Sequence, residues 1–239
     1  MFILRRLIVP IIFLVALFLG ASVVLESFAE SQLAGGAQRA LGLQRRPSVE
    51  IRAFPIIYRV LQGSIPEVRI EGKDLVLEHL EISDLAIVMR GVRADLDVLI
   101  RSDRFDLKVA SGDATARITE DATNAFLVHE KIDARVTFLA TGLVHVRADR
   151  VVGGRTRRFE ARGRLSLGGR TLTFRPQTVL VDGRPSTSAT LVARAKRDTT
   201  FSVQIPKLPG NVLPTEVVVT QGQIAMVASL ESYTLKLSK

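Results

Sequence analysis

The sequence predicts a β-rich α+β chain: antiparallel strands beside an amphipathic helix, preceded by one N-terminal hydrophobic helix. Three observations carry this. An uncharged, mostly apolar run extends from Leu7 to Leu25. Apolar residues recur at helical spacing from Val23 to Leu43. From Pro66 onward the apolar period becomes two, with glycine-bearing turns between the runs.

At about 1.5 Å of rise per residue, a helix from Leu7 to Leu25 spans about 28 Å, near the ~30 Å hydrocarbon core of a bilayer. Arg5 and Arg6 flank its start, where the positive-inside rule keeps charge in the cytoplasm. The remainder is expected outside the cytoplasm, either on a single-pass anchor or secreted to the periplasm or cell envelope. Residues 1–25 read as a signal peptide or an uncleaved transmembrane anchor. The run exceeds the ~7–15 residues of a secretory apolar region, yet Gly20-Ala21-Ser22 and Ser27-Phe28-Ala29 offer small-x-small sites. Residues 26–239 read as a single domain, because no repeat, low-complexity tract or linker divides them.

The helix from Val23 to Leu43 carries Val24, Phe28, Leu33, Ala37, Ala40 and Leu41 on one side. Gly35-Gly36 weakens its middle and Gly42 is placed to stop it. Val49 to Phe54 reads as a strand, and Pro55 to Leu61 as a short apolar helix or turn ended by Gly63. Val68 to Glu71 alternates, as does Leu75 to Met89, and Ala94 to Lys108 continues the pattern less cleanly. Thr119 to Val128 is the one later helix expected, with Thr119 as N-cap and Glu120 and Asp121 in its first turn.

Alternation is clearest in the second half. Ile132, Ala134, Val136, Phe138 and Ala140 share one face; Val144, Val146 and Ala148 follow, then Phe159, Ala161, Gly163, Leu165 and Leu167. Thr141-Gly142, Gly153-Gly154, Gly168-Gly169, Asp182-Gly183-Arg184 and Gln221-Gly222 mark turns. The expectation is a meander of roughly eight to ten strands with one apolar and one charged face. Such a face must be buried on a partner layer. It either closes on itself as a sandwich or barrel, or curls around the helix and leaves an apolar groove for a ligand.

The formal net charge is +9, carried mostly by arginine. A basic domain suits nucleic acid, an anionic membrane or an anionic ligand. Outward topology and the absence of tryptophan argue against nucleic acid, since few aromatics are present to stack on bases. Anionic phospholipids and the membrane surface are the expected partners, each nearby arginine being worth ~1 kcal/mol there. The plainer alternative is that these arginines only solvate the outer face of a sheet. There is no cysteine, which excludes lipoprotein acylation, disulfides, thiolate metal sites and cysteine nucleophiles. His79, His129 and His145 lie far apart in sequence, with no ligand-like spacing. No nucleophile elbow, phosphate-binding glycine loop or metalloprotease motif is present. No catalytic residue, metal or cofactor is therefore expected.

Two short motifs carry a resemblance. Ala53-Phe54-Pro55-Ile56-Ile57, with Gly63 after it, is similar to a Gly-Phe-Pro-x-Leu pattern, Ala53 and Ile57 being departures. Ile205-Pro206-Lys207-Leu208-Pro209 is similar to a Leu-Pro-x-Leu-Pro pattern, with Ile205 for the first leucine. With the order of segments, these resemble the LmeA-like phospholipid-binding proteins of actinobacterial cell envelopes. The resemblance implies a non-catalytic phospholipid binder in the periplasm or tethered to the membrane. It also implies a tubular-lipid-binding-like fold, a long curved antiparallel sheet wrapped around the amphipathic helix.

On that reading the groove is lined by Phe28, Leu33, Phe54, Ile56, Ile57, Phe126, Phe138, Phe174 and Phe201. Arg155, Arg157, Arg158, Arg162 and Arg164, with Arg170 and Arg175 nearby, fall on neighbouring strands and are expected to meet headgroups or the membrane surface. The function expected is an envelope phospholipid binder that holds acyl chains and supports envelope lipid or lipoglycan assembly. The alternative is a non-catalytic structural or interaction module tethered to the outer face of the cytoplasmic membrane.

Overall fold

Eleven strands and three helices make up the described part of the chain, in a β-rich α+β arrangement with curled antiparallel sheets. The computed structural model describes residues 27, 30–39, 44–52, 63–77, 79–94, 104–205 and 213–238. The strands are β1 (Ser48–Arg52), β2 (Ser64–Leu77), β3 (Leu80–Ala94), β4 (Arg104–Thr119), β5 (Arg135–Phe138), β6 (Val144–Val152), β7 (Arg155–Gly168), β8 (Thr171–Val181), β9 (Phe201–Gln204), β10 (Glu216–Thr220) and β11 (Gln223–Ser238). Helix α1 covers 30–39, α2 Glu120–His129 and α3 Ala189–Thr199. The meander divides into two antiparallel sheets, ordered β1-β2-β3-β4-β11-β10 and β5-β6-β7-β8-β9. Among the described residues no helix is long and apolar enough to cross a membrane, and the predicted leader lies outside them.

In the six-stranded sheet the apolar alternation slips along its length. On β3 the inward residues are Leu80 and Ile82, then Leu85, Ile87 and Met89, then Val92. On β2 they are Val68 and Ile70, then Leu75 and Leu77. The first slip coincides with Asp74, whose φ is 49°. The second falls on a row that crosses four strands. Register places Pro66 opposite Gly91, Gly91 opposite Ala110, and Ala110 opposite Ser232. Pro66 has no N–H to give, while Gly91 and Ser232 sit at φ 61° and 38°. These left-handed positions turn the next side chain to the other face, which is why the inward set on β3 steps from Met89 to Val92.

Sequence reading missed the β2–β3 turn, because Leu77 pairs with Leu80 across a connection with no glycine or proline. The run from Leu75 to Met89 is thus parts of two strands. The other turns follow their glycines: Gly153 and Gly154 both have positive φ, and Val152 pairs with Arg155 across them. Asp182-Gly183 also turns the chain tightly, but Val181 and Arg184 form a single bridge and the chain then enters a helix.

Helix α2 forms as its sequence indicates. Thr119 accepts from the Ala122 N–H, and Glu120 and Asp121 sit at the positive end of the helix dipole. Helix α3 was not foreseen, although Ser188 accepts from the Leu191 N–H and Leu191, Ala195 and Thr199 recur at helical spacing. Ala195 is fully buried in a cluster with Phe159 and Val181.

Each helix on the outer strands also protects a sheet edge. Strand β1 ends the larger sheet, and its Ile51 N–H donates to the Glu30 carboxylate of α1 at 2.9 Å. Strand β5 ends the smaller sheet. Asn124 of α2 gives its Nδ2 to the Val136 carbonyl and takes the Val136 N–H at 2.8 Å, while Phe138 N–H donates to Glu120. The Gly222 N–H donates to Phe138 O and the Glu120 N–H to Gly222 O, which ties the β10–β11 turn of one sheet to the other.

Candidate functional site

The inward faces of the two sheets meet over one large apolar cluster, and within it lies a pocket. One wall is Leu80, Ile118, Ile224 and Met226 from the six-stranded sheet. The facing wall is Phe138, Val144, Leu165, Leu172, Phe201 and Val203 from the five-stranded sheet. Phe126 and Leu127 of α2 close one side, and Ile205 another. The cavity is about 40 Å³, well below the ~300–1,000 Å³ common for ligand sites, so the two walls lie close together. Thr123 and Gln204 are the polar side chains among the lining residues.

Local chemistry holds these walls in place. Alternation on β5 and β6 buries Val136, Phe138 and Val144 and sends Arg135 and His145 outward. Ile205 is fixed by Arg170, whose Nε and Nη2 both donate to its carbonyl, while the Ile205 N–H donates to Arg170 O. The residue before the Pro206-Lys207-Leu208-Pro209 segment therefore faces the pocket. Phe174 is fully buried behind Phe201, their rings stacked at 5.6 Å.

Of the nine apolar side chains expected at a groove, Phe126, Phe138 and Phe201 line this pocket, with Phe174 directly behind. Leu33 packs elsewhere, with α1 residues Ala34 and Ala37 against Val49, Ile51 and Val68 of the larger sheet. Phe28, Phe54, Ile56 and Ile57 lie outside the described residues, as do the Ala53–Ile57 motif and residues 206–212. Sequence reasoning missed Leu80, Ile118, Leu165, Leu172, Val203, Ile224 and Met226. Their inward parity was readable, but nothing separates lining from core in an alternating strand.

The arginines part into two groups. Arg155 is exposed at the start of β7. Arg157 pairs with Asp182 at 2.5 Å, and Arg158 lies 3.5 Å from Asp149 while its N–H donates to Asp182. Asp182 is held below the usual carboxylate range by the Arg157 guanidinium first and the Arg158 N–H second. Arg162 and Arg164 point outward from β7, on the face opposite Ala161, Gly163 and Leu165. They belong to the outer surface of the sheet that walls the pocket.

Two of the three histidines, distant in sequence, meet in space. His79, after β2, and His129, at the end of α2, bring their ring centroids within 3.8 Å of each other. The pair is remote in sequence but adjacent where the β2–β3 turn meets the helix end. Among the described residues no group of three metal-ligating side chains is present. His145 lies 3.9 Å from Glu160 on the outer face of the smaller sheet.

The family model described as LmeA-like phospholipid-binding matches residues 20–229 of the sequence. No curated protein matches it. No solved structure matches it either.

Proposed function

The chain belongs to the LmeA-like phospholipid-binding family, and from that premise we propose that it holds phospholipid acyl chains in the pocket between its two sheets. The observation that carries this reading is the lining itself: facing sheet walls of aliphatic and aromatic side chains, with two polar side chains among sixteen. Chain methylenes gain ~0.8 kcal/mol each on leaving water for such a wall. The lipid is bound and presented rather than transformed, in support of envelope lipid or lipoglycan assembly outside the cytoplasm. Residues 26–239 act as one lipid-binding unit in this reading, with the curved sheet wrapped about the N-terminal amphipathic helix. Residues 1–25 are a cleaved leader or a membrane anchor.

Lipid extraction and mass spectrometry of the purified full chain test the proposal. Phospholipid at about one molecule per chain, retained through delipidating washes and exchangeable with vesicles, is the expected result. A folded chain that carries none and takes none up from vesicles would replace it with the scaffold reading.

A further inference from the structure

On the outward face of the five-stranded sheet, cations stand beside cations. Register sets Arg164 directly opposite Arg175 and Arg135 directly opposite Arg147. Arg162 lies on the same face as Arg164, two residues along β7 and so about 7 Å away. Like charges directly opposite on a sheet destabilise it. Among the described residues no carboxylate comes within ion-pair distance of Arg135, Arg162, Arg164 or Arg175, although Arg147 and Arg158 share Asp149.

Three arginines of the larger sheet provide a contrast. Arg52 sits 3.0 Å from Glu50, Arg69 is flanked by Glu67 and Glu71, and Arg90 meets Asp113 at 2.7 Å. These three are neutralised within the protein, whereas Arg93 stands opposite Lys108 as a single like-charged pair among the described residues of that sheet. On the smaller sheet Arg147, Arg150, Arg157 and Arg158 are likewise paired, and Arg135, Arg162, Arg164 and Arg175 are left without a carboxylate among the described residues.

We propose that this face, centred on Arg162, Arg164 and Arg175 with Arg135 beside them, docks on an anionic bilayer surface. A long antiparallel strand pair presents its guanidinium groups side by side, which suits many phosphates at one level. Each fork can take a phosphate through two donors. The apolar pocket lies behind the same strand, lined by Leu165 from its inner side. Docking therefore sets the pocket one sheet thickness from the lipid surface. This surface is distinct from the pocket proposal and stands without it.

The test is vesicle co-sedimentation of the full chain on phosphatidylcholine with and without phosphatidylglycerol. The ratio of the two affinities is compared between wild type and variants, so that the apolar N-terminal run, common to all, cancels. Arg175→Glu is the informative single change, because it places a carboxylate opposite Arg164. It should raise the melting temperature while lowering the anionic-to-neutral ratio at least fivefold, at about fivefold per basic residue. The triple Arg162→Glu, Arg164→Glu, Arg175→Glu should lower that ratio more than a hundredfold, and the triple lysine variant should retain most of it. An unchanged ratio in Arg175→Glu at undiminished stability would overturn the proposal. A wild-type chain without anionic preference would also overturn it, and would assign the face to an acidic protein partner. Lipid bound in the pocket is measured on the same samples by extraction, and Arg175→Glu should leave it unaltered.

Discussion

Gly163 on β7 faces the backbone of Arg175 on β8 so closely that a Cβ at residue 163 would lie 2.0 Å from the Arg175 carbonyl oxygen. The β7–β8 register shifts at this point, between Arg162 and Gly163. Glycine lets the bulged strand close up here, and the same shift restores Val179 and Val181 to the inner face below Phe174. Because the obstacle is backbone, no rotamer change relieves it. Gly163→Ala is expected to cost about 3 kcal/mol, in the range for strained or overpacked cores. Urea unfolding measures it, and a loss below about 1 kcal/mol would mean that the strands separate here without penalty.

Asn124 holds the edge strand β5 to α2 by acting as a substitute strand. Its amide both donates to and accepts from Val136, at 3.0 and 2.8 Å. Asn124→Ala leaves a partly buried N–H and carbonyl unpaired, a cost of about 2–3 kcal/mol. Hydrogen exchange should accelerate at the Val136 amide and stay slow on β7. An unchanged Val136 amide would show that water replaces the side chain at no cost.

Asp182 gives the fold an acid limb. Its carboxyl is held below its ordinary value by Arg157 and the Arg158 N–H. A carboxylate whose folded pKa is depressed stabilises the protein above its unfolded pKa, ~3.9, and that contribution fades as pH falls through the folded value. Asp182 also sits at φ 54°, a conformation that asparagine tolerates. Asp182→Asn should therefore be less stable than wild type at pH 7, with the gap closing on acidification below about pH 4. Urea melts at several pH values read the gap directly; a gap independent of pH would remove the ion pair from the account.

Much of the smaller sheet was legible in the sequence, and the reason is local. Paired glycines mark the turns, and alternate residues from Val144 to Ala148 and from Phe159 to Leu167 carry no polar side chain, so register and face follow from spacing. Helix α2 was equally legible because its cap and first-turn acids are contiguous. The larger sheet was harder to read. Its β2–β3 turn lacks glycine, and its parity slips at Asp74 and at the row from Pro66 to Ser232. Helix α3 was hidden by its polarity, since Arg194, Lys196, Arg197 and Asp198 crowd a short apolar stripe. At the site, Phe126, Phe138 and Phe201 were found because bulky aromatics stand out, while Leu80 and Ile224 come to the pocket only when two sheets fold together. The histidine pair was invisible for the same reason, its members standing fifty positions apart in the chain.

Leu165 offers the most direct way to fill the pocket. It is half-buried, lines the cavity from the inner face of β7, and packs against the core cluster without being enclosed by it. Leu165→Trp places an indole where an acyl chain is proposed to lie. The added bulk exceeds the about 40 Å³ of free space, so the two walls must part to admit it, at a cost of about 1–3 kcal/mol, the range for overpacking. Bound phospholipid per chain should fall severalfold. Val151→Trp, on an exposed residue of β6 outside the pocket lining, is the matched control and should leave lipid content unaltered. Extraction and mass spectrometry of the three proteins decide the matter. Equal lipid in Leu165→Trp and wild type would place the acyl chains elsewhere on the molecule, since an indole and a chain cannot share this volume.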